Sequence, residues 1–155
     1  MSATLRRSTP AWEDKFRRPG AIELLAALPE PVTPVFTACR GQLTGLGLTE
    51  QLAWHGVPWR WSFVYTVPAA PAAWAYLVPD PQRPQVAAPI PTPLVGSLGI
   101  KRLKKHAREG LARGRVVAGT LWATWELTSG QQLDEVMELL SKRRRLESHP
   151  TSQAS

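Results

Sequence analysis

Between residues 59 and 67 large apolar and smaller side chains alternate strictly: Trp59, Trp61, Phe63, Tyr65 and Val67 against Arg60, Ser62, Val64 and Thr66. A period of two predicts a β-strand with one apolar face. The period returns in "AWAYLV" (73–78), which sets Trp74, Tyr76 and Val78 together. It returns again in "GTLWATWELT" (119–128), where Leu121, Ala123, Trp125 and Leu127 oppose Trp122, Thr124 and Glu126. With a Trp on each face, this last strand is expected to be central and partly covered on both sides. "QVAAPI" reads as a further strand, which Pro89 confines to a sheet edge or to its own end. "LAWHG", stopped by Gly56 and Pro58, reads as a short strand or an entry loop.

Elsewhere the period lengthens to three or four. "AIELLAALPE" (21–30) has helical composition and is stopped by Pro29 and Pro31. Val35, Cys39 and Leu43 share one face of a second short helix, with Thr33 as its N-cap, Pro34 in its first turn, and Gly45 and Gly47 at its end. From Ile100, "IKRLKKHAREGLARGR" sets Ile100, Leu103, Ala107 and Leu111 on one stripe and cations on the other. That predicts a basic amphipathic helix over 100–113, weakened at Gly110 and finished by Gly114. Ser129 and Gln132 have capping-box spacing, and open a helix over 130–146 with Leu133, Val136, Met137 and Leu140 on its apolar stripe. Asp134 and Glu135 near its start and the basic run 142–145 near its end suit the helix dipole.

Strands in hairpin-like succession, with helices gathered at the ends, predict an α+β fold. We expect a small, mostly antiparallel sheet with helices packed on one face and at the C-terminus. Residues 1–19 read as a flexible basic arm, 20–147 as one domain and 148–155 as a disordered tail.

Composition sharpens this. A chain of 155 residues, 43% hydrophobic and 20% charged, is long enough for a real core. Its fifteen prolines have no short period and suit turns and sheet edges. The single Cys39 cannot form an internal disulfide, which fits a reducing cytoplasm. Pro10, Glu13, Asp14 and Lys15 stand where a signal peptide needs an apolar run, and no stretch reaches the roughly 20 apolar residues of a membrane helix. The chain is therefore expected to be soluble and cytoplasmic, without a membrane partner. A net charge of +7 favours polyanionic partners, such as nucleic acid or an acidic protein surface.

Chemistry is sparse. No P-loop, GxGxxG, GxSxG or HExxH motif occurs, and no catalytic residue, metal or cofactor is assigned. The aromatic rows read first as a core wall, because a sheet shows such rows to its covering helices. As a ligand wall they would recruit Trp59, Arg60, Trp61, Trp74 and Glu126. The basic helix offers Lys101, Arg102, Lys104, Lys105 and Arg108 to a polyanion, although a solvated face is its simpler reading. His106 is read as part of that solvated face, and His55 as satisfying a backbone carbonyl in a turn. An acid–base site would require His55, Glu50 and Glu126 to converge.

"WRWSFVY", "AWAYLVP", the lysine-rich helix, "GRVVAGTLWATWELT" and "ELLSKRRRL" together resemble the bacterial family called domain of unknown function 3788. The run 50–58, with its E-x-L-x-W-x-G-x-P spacing, is similar more distantly to YdhG-like domains. The resemblance spans roughly residues 43 to 146. It implies a small α+β fold with no established activity. Some YdhG-like proteins are proposed iron chaperones, which would need clustered carboxylates; here twelve acidic residues are scattered among nineteen basic ones.

The resulting expectation is a small bacterial binding or accessory domain, not an enzyme, with an aromatic-lined sheet, acting as a monomer or a helix-mediated homodimer. The alternatives are a nucleic-acid-associated protein using the helix at 101–113, and an enzyme built around His55, Glu50 and Glu126.

Overall fold

A computed structural model describes residues 9–148. Its strands are β1 (Thr49–Trp54), β2 (Trp61–Thr66), β3 (Ala73–Val78), β4 (Gln85–Pro91), β5 (Arg115–Val117) and β6 (Thr120–Glu126). They form one antiparallel sheet in the order β1-β2-β3-β4-β6-β5. The helices are α1 (Ala21–Ala26), α2 (Thr33–Gly45), α3 (Thr92–Ser97), α4 (Lys105–Ala112) and α5 (Gly130–Ser148). They pack on one side of the sheet, as the α+β reading expects. The core lies between the layers, where Phe36, Cys39 and Leu43 of α2 and Val136, Leu139 and Leu140 of α5 meet Phe63, Tyr65, Leu77 and Trp125. Among the described residues no helix is long and apolar enough to cross a membrane.

The strands depart from simple alternation at two places, and both matter. β2 begins at Trp61, not Trp59. Residues 55–60 form a tight loop in which His55 N–H donates to the Arg60 carbonyl at 2.8 Å. Gly56 and Arg60 have φ of 77° and 51°. A left-handed residue breaks the extended alternation, so Trp59 leaves the face of Trp61, Phe63 and Tyr65. In β3 the register runs Tyr65↔Ala75 and then Thr66↔Ala73, making Trp74 the extra residue of a bulge. Trp74 therefore turns to the helical side with Ala75 and Leu77. Tyr76, expected beside it, faces the other way.

The bulge also explains β4, an inner strand despite Pro89, where the sequence suggests an edge. The Pro89 carbonyl accepts from Arg143 Nη2 at 3.1 Å, and the Trp74 carbonyl accepts from Arg143 Nη1 at 2.9 Å. The N–H that Pro89 lacks would point the same way as its carbonyl, toward a stretch the bulge has already unpaired. Arg143, buried beneath Trp74 and paired with Glu147 at 3.1 Å, fills that gap.

Three helical expectations change. Thr33 does not cap α2: the preceding Val32 is already helical in φ and ψ, and the Thr33 hydroxyl donates to the Leu25 carbonyl, tying α1 to α2. The basic segment is not one helix. Residues Ile100–Arg102 form a single 3-10 turn, Leu103 and Lys104 are extended, and α4 starts at Lys105. The buried Glu135 carboxylate of α5 accepts from His106 N–H at 2.8 Å, supplying the N-terminal cap that the sequence around Lys104 lacks. Gly110 lies inside α4, where a Cβ would sit 2.1 Å from the Trp125 indole. It is the contact point of helix and sheet, not a weak spot. Half of the expected α5 capping box forms, with Ser129 Oγ accepting from Gln132 N–H at 3.2 Å, whereas the Gln132 side chain reaches past Ser129 to accept from Thr128 N–H at 2.8 Å.

The expected loose arm is not loose where it is described. Trp12 is buried, the Asp14 carbonyl accepts from Trp61 Nε1 at 2.7 Å, and Glu13 pairs with Arg60 at 2.9 Å. Positions 1–8 of that arm, and all but Ser148 of the expected tail, lie outside the described residues. Ser148 itself closes α5.

Candidate binding face

No helix covers the second face of the sheet among the described residues, and its middle is aromatic. Trp59 reaches it from the 55–60 loop, which Ser62 anchors by donating from Oγ to the Trp59 carbonyl at 2.7 Å. Tyr76 comes from β3. Trp122 comes from β6, opposite in parity to Trp125, whose indole lies beneath α4. Between Tyr76 and Trp122 runs β4, which at their level offers Ala87 and Pro89 to this face. Because these side chains are small, the two rings lean over them and meet. Centroid distances are 4.8 Å for Trp59–Tyr76, 6.2 Å for Tyr76–Trp122 and 6.4 Å for Trp59–Trp122. All lie in the range of favourable aromatic pairs.

His55 completes the row, edge-on to Tyr76 at 5.2 Å. Its Nε2 is buried with no partner among the described residues. Burial holds the imidazole below its ordinary pKa, against a raising contact from the Ser62 backbone. Burial likewise raises the Tyr76 phenol. The four rings are half-buried. Arg115, directly opposite Trp122 in register, puts a cation at the outer end of the row.

Of the residues proposed for a ligand wall, only Trp59 lies in this row. Arg60 turns to the N-terminal segment, 5.1 Å over the Trp12 ring. Trp61 and Trp74 belong to the helical side, where Trp74 Nε1 donates to Glu147 at 2.6 Å. Glu126 is exposed at the far end of β6. Its carbonyl accepts from His106 Nε2 at 2.8 Å, so His106 is a bridge from α4 to the sheet and not part of a solvated face.

The postulated acid–base triad does not assemble. Glu50 lies on the helical side, where Arg40 binds it through Nε and Nη2 at 3.0 and 2.8 Å and the Tyr65 hydroxyl donates to it at 2.6 Å. His55 faces the opposite side. Glu126 sits four strands from β1, roughly 19 Å away at about 4.8 Å per strand. Cys39 is buried against the core, and burial pushes its thiol up to about 12, which makes it a poor nucleophile.

Lys101, Arg102, Lys104, Lys105 and Arg108 are all exposed, but spread over the 3-10 turn, the extended step and α4. Lys104 lies 3.8 Å from Glu138, and Arg108 donates to the Leu103 carbonyl at 3.1 Å. Among the described residues no three His, Cys, Asp or Glu side chains are placed to hold a metal ion.

Compared with known proteins, the chain matches no family model and no curated protein. The row is not legible in the sequence, for a local reason. Alternation puts Trp122 on the outward face, but the bulge separates Tyr76 from Trp74 and the left-handed Arg60 separates Trp59 from Trp61.

Proposed function

We propose that the chain is a binding module, not an enzyme, whose working surface is the uncovered face of its sheet, and that it takes single-stranded nucleic acid. The observation that carries this reading is the contact row Trp59–Tyr76–Trp122 on a face without helices. A half-exposed aromatic platform on an antiparallel sheet lets unpaired bases stack, each worth about 1–3 kcal/mol. The net charge of +7 supplies the attraction for phosphate. The single, buried Cys39 supports residence in a reducing cytoplasm as part of the same proposal. On the strand and helix patterns that resemble it, we also propose that the chain belongs to the domain of unknown function 3788 family.

A second reading has its own observation. The five exposed cations at 101–108 would grip a polyanion by charge alone, with no role for the rings.

Tryptophan fluorescence titrated with a short oligo-thymidine strand, at low and then moderate salt, separates the two. On the favoured reading, Trp122→Ala weakens binding roughly tenfold and duplex of the same length binds less well. If Lys104→Glu with Lys105→Glu abolishes binding while Trp122→Ala leaves it intact, the basic segment replaces the aromatic face. Absence of binding at low salt would remove both.

A further inference from the structure

Beside the aromatic row lies a second feature with a different chemistry. A cavity of about 350 Å³ opens between the ends of β4 and β6 and the side of α4. Its floor includes Thr124 and Glu126, which follow Trp122 on the same face of β6. At two residues per repeat, Thr124 stands roughly 7 Å along the strand from Trp122. The opposite wall carries Glu109 of α4 and Arg113 just past its end, four residues apart and 4.0 Å from each other. Arg83, from the β3–β4 connection, faces them. The bond from His106 Nε2 to the Glu126 carbonyl fixes α4 against β6 and so fixes the mouth of the cleft. The cleft thus presents two carboxylates and two guanidiniums. The Glu126 carboxylate makes no hydrogen bond or ion pair among the described residues.

A ring stacked on Trp122 would turn its edge toward this cleft. The charged groups set which edge fits. A carboxylate accepts best from two adjacent N–H groups, and a guanidinium donates best to two adjacent acceptors. Guanine has both, N1–H with N2–H on one edge and O6 with N7 on the other. Cytosine and adenine offer a carboxylate only one amino group, and thymine or uracil only one ring N–H.

We propose that this cleft reads the edge of a guanine stacked on Trp122, with Glu126 accepting from N1–H and N2–H and a guanidinium of Arg83 or Arg113 donating to O6 and N7. The inference rests on the open-face reading above and adds base selectivity to it.

The test is fluorescence titration of the full chain with four short single strands: alternating thymine–guanine, thymine–adenine, thymine–cytosine, and thymine alone. Wild type should bind the guanine strand roughly tenfold more tightly than the other three. Glu126→Gln keeps the shape but gives up one acceptor for a donor. It should bring guanine down to the level of thymine alone and leave the thymine strand unchanged. If that variant loses its fold by circular dichroism, Arg83→Gln carries the same comparison. Equal wild-type affinity for all four strands, or a guanine preference that survives both variants, overturns the cleft while leaving the stacking face standing. An adenine preference overturns it in favour of the amides of Gln85 and Gln132. Failure to bind any strand removes the open-face reading itself.

Discussion

The two faces of the sheet carry the same kind of residue and treat it in opposite ways. On the helical side three indole N–H groups have protein acceptors: Trp61 the Asp14 carbonyl, Trp74 the Glu147 carboxylate, Trp125 the Ala107 carbonyl. On the open side neither Trp59 nor Trp122 has a hydrogen-bond partner for its indole among the described residues, and their rings pack on each other and on Tyr76. A buried indole must find an acceptor or lose the hydrogen bond it had with water. An indole at an open face keeps water as its partner until something displaces it. Burial alone would rank all of these tryptophans as sheet packing. For these five tryptophans the hydrogen bonds follow the covered and open faces; Trp12, buried with no acceptor for its Nε1 among the described residues, does not follow that division.

The contrast is most sharply tested by paired truncations. Trp125→Ala should cost on the order of 3–5 kcal/mol, since the side chain is fully buried under α4. Trp122→Ala, three residues away, should cost about 1 kcal/mol or less. Urea midpoints at unchanged slope measure both, and equal losses would mean that the open face is as much a core as the covered one.

A smaller effect is expected from adding one methyl group. Gly110→Ala directs a Cβ into the Trp125 ring, so α4 must lift or the indole must shift, at roughly 1–3 kcal/mol. The same substitution at an exposed helix position would be stabilising. A Gly110→Ala protein that melts at or above wild type would show that α4 does not rest on Trp125 as described.

The smallest effects are expected from pH, and they too divide by face. Burial pushes Glu50 up, but the hydrogen bonds from Arg40 and Tyr65 outweigh it and leave its carboxyl below the ordinary range. A depressed carboxyl stabilises the fold above its unfolded pKa of about 4.3, and that stability is lost as pH falls through the lower folded value. His55, held low by burial, follows the same sign in a higher window. Its contribution is full above about 6.5 and declines as pH falls toward its folded value. Glu50→Gln should flatten the acid limb of a stability–pH curve, and His55→Phe the limb just below neutrality. A neutral-range slope unchanged by His55→Phe would mean that the imidazole is not desolvated against Tyr76.

Much of this architecture is legible in the sequence, because it depends on near neighbours along the chain. The two-residue period at 61–66 and 120–126, the three-to-four-residue stripe of α5 and its Ser129 cap are local, and each element forms where its pattern lies. Elements without a long pattern escape such a reading. The three-residue β5 is one, with its turn at Ala118 and Gly119, both at positive φ. The short α3 is another. Misreadings arise where a distant residue decides. Pro89 looks like an edge signal until Arg143, far along the chain, takes over the carbonyls beside it. The basic segment looks like one helix until Glu135 of α5 caps it at His106.

By itself, then, the sequence determined the kind of elements, their order, and an α+β layering with helices on one side, because periodicity and turn chemistry act over a few residues. The tertiary structure alone decided which tryptophans are covered and which face outward. A single bulge at Trp74 and a single left-handed residue at Arg60 each reverse a face. Whether such a reversal is stable depends on what waits on the other side: α5 for Trp74, and Tyr76 with Trp122 for Trp59.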